Sequence, residues 1–184
     1  MRGRLRIRVW SPTLGTMLLL LFSGQFALAQ TMSDRQVKAA YLYNFAKFVE
    51  WPEQAFANST AAIRLCIWND RLFETDVHQI VNGKALAGHP IDVVGVQSIE
   101  HLRSCHVLFI SSSDERETRR IIDALREATV LTVGGMKGFV ASGGIINFVL
   151  DEERVQFEIN HRAATRAGLR ISSRLLGVAK RVLE

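Results

Sequence analysis

Four short runs of nearly unbroken apolar residues constrain this chain more than any other feature: Ile63–Trp68, Ile91–Val96, Val107–Ile110 and Val130–Val133. Each is too short for a helix and apolar enough to be covered on both faces, which is the pattern of a buried strand. The stretches between them read as helical. Asp70 caps a helix over Arg71–Ile80, with Leu72, Val77 and Ile80 expected to face inward. Ser98 caps a short turn through Leu102. Ser111-Ser112-Ser113-Asp114 starts a helix running to about Ala128, with Ile121, Ile122 and Leu125 as its buried stripe. Strands that alternate with helices in this way predict an α/β fold with a largely parallel central sheet and helices on both faces.

The pattern changes after Gly134-Gly135. Ile145–Leu150 and Arg154–Asn160 flank Asp151-Glu152-Glu153 and predict a hairpin. In its second strand Val155, Phe157 and Ile159 share one face, and Gln156 and Glu158 the other. From His161 to Glu184 the chain reads as helical with a break at Gly168. Ser172 would cap a last helix carrying Leu175, Leu176, Ala179, Val182 and Leu183.

The first helix is the most aromatic part of the chain. Ser33 with Gln36 three residues on is a capping box, and residues 41–52 hold five aromatics and end in Pro52. Val37, Tyr41, Phe45 and Phe48 follow helical spacing and are the expected core contacts, with Leu42, Ala46 and Val49 as a second row. Pro52 pushes Trp51 out of helical dihedrals, so the helix is expected to run to that point. Phe48 and Trp51, beside the break, are candidates for contact with a partner.

Residues 1–29 are expected to be a cleaved signal peptide. Arg2, Arg4, Arg6 and Arg8 form a basic head, Met17–Phe22 an apolar stretch, and Ala27-Leu28-Ala29 a cleavage site. A twin-arginine pair and a lipidated Cys after the cleavage site are both missing, so export of an unfolded chain is the simpler route. Residues 30–184 are then one domain. The four leader arginines belong to a total of 23 basic residues against 18 acidic ones, so their removal takes the net charge from +5 to +1. Such a balance gives no electrostatic support for nucleic-acid binding. Export also sets the redox compartment: Cys66 and Cys105, 39 positions apart, are best read as one disulfide. No Cys-x-x-Cys spacing argues for active exchange.

Candidate chemistry is sparse. Cys105 and His106 are adjacent on a strand, so their side chains diverge, and a disulfide would leave no thiolate for a metal. Ser111–Ser113 stand at the carboxyl end of a strand but lack a nucleophile elbow, and helix capping accounts for them. Gly134-Gly135-Met136-Lys137-Gly138 and Ser142-Gly143-Gly144 match neither a dinucleotide nor a phosphate-loop spacing; tight turns need glycine anyway. Neither a catalytic set, a metal nor a cofactor is expected. A possible ligand set is Glu158, Asn160, Arg170 and Arg174, which cluster around the last strand and helix and could orient an amphipathic molecule over an apolar floor.

Several stretches together resemble the YfiR family of periplasmic bacterial regulators. They are Lys38-Ala39-Ala40-Tyr41-Leu42-Tyr43-Asn44-Phe45-Ala46-Lys47-Phe48-Val49-Glu50-Trp51-Pro52, Cys105-His106-Val107-Leu108-Phe109-Ile110 and Gly143-Gly144-Ile145-Ile146-Asn147-Phe148. Phe157-Glu158-Ile159-Asn160 and Ala167-Gly168-Leu169-Arg170-Ile171-Ser172-Ser173-Arg174-Leu175-Leu176 complete the likeness. The resemblance implies a non-catalytic α/β domain that binds the periplasmic domain of an inner-membrane diguanylate cyclase and holds it inactive. It also implies an outer-membrane lipoprotein that sequesters the regulator, raising cyclic di-GMP and promoting biofilm, and a homodimer in many members. Cys66 and Cys105 occupy the positions of the family's shared disulfide. The second disulfide of some members has no counterpart here, because residues 140–147 contain no Cys. The alternative from another class is a periplasmic small-molecule sensor.

Overall fold

The computed structural model describes residues 33–152 and 154–184, so the expected leader lies outside the described residues. In chain order the elements are α1 (Asp34–Lys47), β1 (Val49–Glu50), β2 (Ile63–Trp68), α2 (Arg71–Val81), β3 (Ala85–Leu86), β4 (His89–Val96), β5 (Val107–Ile110) and α3 (Glu115–Ala124). They continue with β6 (Leu131–Gly134), β7 (Ile146–Asp151), β8 (Arg154–Asn160), α4 (His161–Arg166), β9 (Arg170–Ile171), α5 (Ser173–Gly177) and β10 (Arg181–Leu183). Short 3-10 turns cover Glu53–Ala55 and Ile99–Ser104.

Eight strands form one sheet in the order β10-β8-β7-β6-β5-β2-β4-β3. The five strands β4, β2, β5, β6 and β7 are parallel, and β5 and β6 are buried on both faces; β8 runs antiparallel to β7, and β3 antiparallel to β4. Alternation of side chains divides the core into two layers. Leu65, Ile67, Val107, Phe109, Leu131 and Val133 meet α1 and α2 on one face. Cys66, Trp68, Leu108 and Ile110 meet α3 and the 99–104 turn on the other. The Cys66–Cys105 disulfide lies in this second layer and ties the turn to a central strand. The fold class is therefore the one expected, with helices on both faces of a mostly parallel sheet.

Five local expectations change. The capping box of α1 is present, with Ser33 Oγ accepting from the Gln36 amide and the Gln36 side chain accepting from the Ser33 amide. The helix nevertheless ends at Lys47 rather than at Trp51. Val49 and Glu50 pair with Ile171 and Arg170, and the Ser172 amide donates to the Phe48 carbonyl over 3.0 Å, so a distant segment takes those backbone groups before Pro52 acts. Its fully buried row is Ala39, Leu42, Phe45 and Ala46; Val37, Tyr41 and Phe48 are only half-buried. Tyr41 still packs on Phe45, Phe148 and Phe157, so the aromatic face serves the core.

On α2 the buried row is Phe73, Val77 and Val81, and Leu72 is 66% exposed, one position off the stripe. The helix after Asp114 stops at Ala124, four residues early. The largest departure is the C-terminus. The open edge of β8 accepts another strand, so Arg181, Val182 and Leu183 pair in parallel with Glu158, Ile159 and Asn160 instead of extending a helix.

The glycine pairs also do more than turn. Gly134 lies in β6 and Gly144 precedes β7; neither has positive φ, and both press on the buried ring of Phe139. A β-carbon added at Gly134 would lie 2.5 Å from Phe139 Cδ2, and one at Gly144 2.1 Å from Cε1. Only glycine lets the two backbone segments close on that ring.

Candidate functional site

The end of α1 and the pair β1–β9 build a small ledge. Val49 and Ile171 point into the core, and Glu50 and Arg170 stand opposite each other on the outer side, joined by an ion pair of 2.6 Å. Phe48 caps α1, half-buried, with Lys47 Nζ 5.9 Å from its ring centroid. Trp51 is half-buried as well; its indole N–H donates to the His106 carbonyl over 3.3 Å, and its ring meets the His106 imidazole edge-on. The structure therefore brings three of the sequence candidates, Phe48, Trp51 and Arg170, onto one ledge. Arg174 is exposed on α5, just after Ser172 whose amide bonds Phe48.

Glu158 and Asn160 have other partners. Glu158 pairs with Arg181 of β10 over 2.9 Å and its side chain is only 16% exposed. Asn160 caps α4, accepting from the Ala163 amide at 2.8 Å and donating to the Val140 carbonyl at 2.8 Å. Their charge and hydrogen-bonding capacity hold β10, α4 and the 140 loop in place. The four polar residues that are close in sequence thus divide between an outer ledge and the supports of the sheet edge.

The titratable groups near the sheet ends are likewise tied to the backbone. His106 Nδ1 accepts from the Arg64 amide at 3.0 Å, and Nε2 faces the Ala55 carbonyl at 3.0 Å, so the imidazole is neutral with its proton on Nε2. Burial, foremost, holds its pKa below the ordinary value; the Arg64 guanidinium and His89 act in the same direction, against the Ala55 carbonyl. Ser112 Oγ accepts from the Asp114 amide at the helix start, whereas Ser111 Oγ donates to the Trp68 carbonyl at the end of β2 rather than capping the helix; the cap itself is Asp114. Among the described residues no three His, Cys, Asp or Glu side chains converge on a metal position.

A second feature was not visible as a site in the sequence. The parallel strands follow the order β4-β2-β5-β6-β7, so the chain reverses direction across the sheet between β2 and β5. Ligands of open α/β sheets bind outside the carboxyl ends of the strands at such a point. A cleft of about 380 Å³ opens there, floored by Phe73, Phe109 and Met136 and rimmed by Lys38, Asp70 and Ser112. The signal for it was the strand order, which residue spacing alone does not carry.

Two solved structures share this architecture. A conserved domain protein from Vibrio cholerae O1 biovar El Tor superposes with a TM-score of 0.58 at 13% identity, covering 82% of this chain. An ABC domain from Streptococcus pneumoniae, solved in complex with L-Trp, gives a TM-score of 0.52 at 13% identity over 79% of this chain. The present chain spans 60% of the length of each, and at this identity the likeness establishes the fold alone. Comparison with curated proteins finds no match. The family model described as YfiR/HmsC-like matches residues 35–180, from the first turn of α1 to the residue before β10. With nearly all of the described domain inside that match, the chain belongs to the YfiR/HmsC-like family, whose members are periplasmic regulators.

Proposed function

We propose that this protein is exported to the periplasm and there represses an inner-membrane diguanylate cyclase by binding the cyclase's periplasmic domain. The observation that carries the reading is the ledge. A family of regulators must present a contact surface, and here Phe48 and Trp51, packed against the core, keep part of their surface exposed beside Arg170, on a two-stranded extension of the core. Half-buried aromatics next to an Arg have the composition of an interface centre. Repression follows if the ledge binds the inactive cyclase more tightly than the active one and so shifts its population. An outer-membrane lipoprotein that covers the same ledge would relieve repression by competition, and a homodimer would set how many ledges face the membrane.

The test is binding of the purified protein to the periplasmic domain of a cyclase encoded beside it, together with cellular cyclic di-GMP. Arg170→Ala, at a side chain 84% exposed, should leave folding intact and weaken binding; deletion of the protein should raise cyclic di-GMP. Unchanged cyclic di-GMP and no binding would refute the reading.

A second reading, a small-molecule sensor, is favoured by the switch-point cleft rather than by the residues around β8 and β9. A thermal-shift screen with amino acids and nucleotides distinguishes it, because a ligand selective for the folded state raises the melting temperature.

A further inference from the structure

The stretch from Pro52 to Ala62 lies next to Trp51 and is fastened by an unusual stack. The Phe56 ring sits between two imidazoles, with His89 on one side at 4.2 Å and 17° and His106 on the other at 4.7 Å and 20°. The hydrogen bonds of the two histidines give them opposite responses to a proton. His89 Nδ1 faces the Ala61 carbonyl at 2.7 Å, so that nitrogen already carries hydrogen and a second proton enters at Nε2 without loss of the bond. His106 carries its hydrogen on Nε2, toward Ala55. Its only remaining site is Nδ1, the atom that accepts the Arg64 amide.

We propose that His106 is a proton-operated latch: a proton on Nδ1 sets one donor against another at the Arg64 amide and releases the Pro52–Ala55 turn that the His106 ring holds down, while His89 keeps its hold on Ala61 and on the other face of Phe56. Once the Arg64 contact is lost, the ring has to move. It takes with it the Ala55 hydrogen bond, the Phe56 stack and the edge contact to Trp51. Among the described residues no carboxylate pairs with the His106 ring. From β2 comes Arg64, whose guanidinium reaches Ser104 Oγ at 3.1 Å and lies 3.8 Å from Asp92 of β4. From β4 also comes His89, on the far face of the Phe56 ring. Arg103 of the 99–104 turn lines the same hollow of about 320 Å³ as His106, and the Glu53–Ala55 turn contributes Glu53, which is exposed. Burial agrees with the geometry in favouring the neutral ring.

The sign follows. A histidine whose folded-state pKa lies below the unfolded value of 6.5 keeps the closed loop fully stable above that pH, and the stability is lost as pH falls through the folded value. The release is a property of this chain alone; its effect on a partner, through Trp51, rests on the ledge being the binding surface.

Amide exchange of the purified protein, read residue by residue by NMR between about pH 8 and 5, tests the latch without any partner. The opening constant at Arg64, corrected for intrinsic exchange, should be flat above about pH 6.5. It should then rise by up to about tenfold per pH unit down to the His106 midpoint, with the Phe56 ring signals moving in step. His106→Asn keeps an acceptor near the Nδ1 position and removes the titration, so the rise should vanish. A flat Arg64 opening through the His106 midpoint, or an unchanged rise in His106→Asn, overturns the latch. Should His106→Asn not fold, His89→Gln decides. The rise persists if His106 is the latch, at a midpoint moved upward by loss of a like charge; its disappearance assigns the effect to His89 and overturns the proposal.

Discussion

The glycine clamp on Phe139 gives a sharp test of the packing. In Gly144→Ala the new methyl would meet Phe139 Cε1 at 2.1 Å and Cδ1 at 2.3 Å, more than 1 Å inside ordinary contact. The ring has no room to slide away, because Gly134 closes on its other edge and a β-carbon there would be 2.5 Å from Cδ2. Relief requires the fully buried ring to leave its site or the 138–144 turn to shift. Overpacking of this kind costs about 1–3 kcal/mol, and complete loss of a buried Phe about 3–5 kcal/mol. We expect about 3 kcal/mol, or a melting temperature lower by about 6–12 °C for a domain of this size. Gly135→Ala is the internal control: it is adjacent to Gly134, has no positive φ and would place its β-carbon in open space, so it should stay within about 0.5 kcal/mol of wild type. Urea unfolding of Gly144→Ala, Phe139→Ala and the double variant completes the cycle. With the ring gone the methyl has nothing to strike, so the double variant should cost no more than Phe139→Ala alone. That is a coupling of about 3 kcal/mol, far above the about 0.3–0.5 kcal/mol scatter of independent sites. Additive costs, or a neutral Gly144→Ala, would refute the clamp.

Further outcomes follow from other parts of the structure. Cys66→Ala with Cys105→Ala should lower stability by about 4 kcal/mol on the chain-entropy account of a 39-residue loop, and reductant should reproduce the loss in wild type, as measured by thermal unfolding with and without dithiothreitol. Asn160→Ala removes both the α4 cap and the tie to Val140 and should cost about 1–2 kcal/mol in urea unfolding. Leu72→Gln, at a position 66% exposed, should change stability by less than about 0.5 kcal/mol; a larger loss would place Leu72 in the core. Equilibrium stability of wild type should fall as pH drops below about 6.5, whereas His106→Asn should flatten that part of the profile.

Elements whose partners lie nearby in the chain could be read from residue order, and those with distant partners could not. Ile63–Trp68 and Val107–Ile110 were legible because a strand covered on both faces must be apolar throughout, and both appear with those bounds. The Ser33–Gln36 box and the Asp70 cap were legible for a local reason: a helix start is satisfied by residues two or three positions away. The pairing of Cys66 with Cys105 followed from there being two cysteines. The end of α1 was not legible, because the groups that stop it belong to Arg170, Ile171 and Ser172, over a hundred residues away. Arg181–Leu183 became a strand because β8 offered an open edge, a fact of sheet order rather than of local propensity.

The same division runs through the candidate site. Sequence by itself determined the α/β class, the wide aromatic face of α1 and the family, since apolar period, capping and motif order are written along the chain. Only the tertiary structure decided which of those residues share a surface. It joined Phe48, Trp51 and Arg170 on one ledge, committed Glu158 to Arg181 and Asn160 to α4, and opened the cleft between β2 and β5. It also set Phe56 between His89 and His106 and closed Gly134 and Gly144 on Phe139. The physical reason is that such contacts join segments far apart in the chain, so their geometry exists only after the sheet has set its order and register.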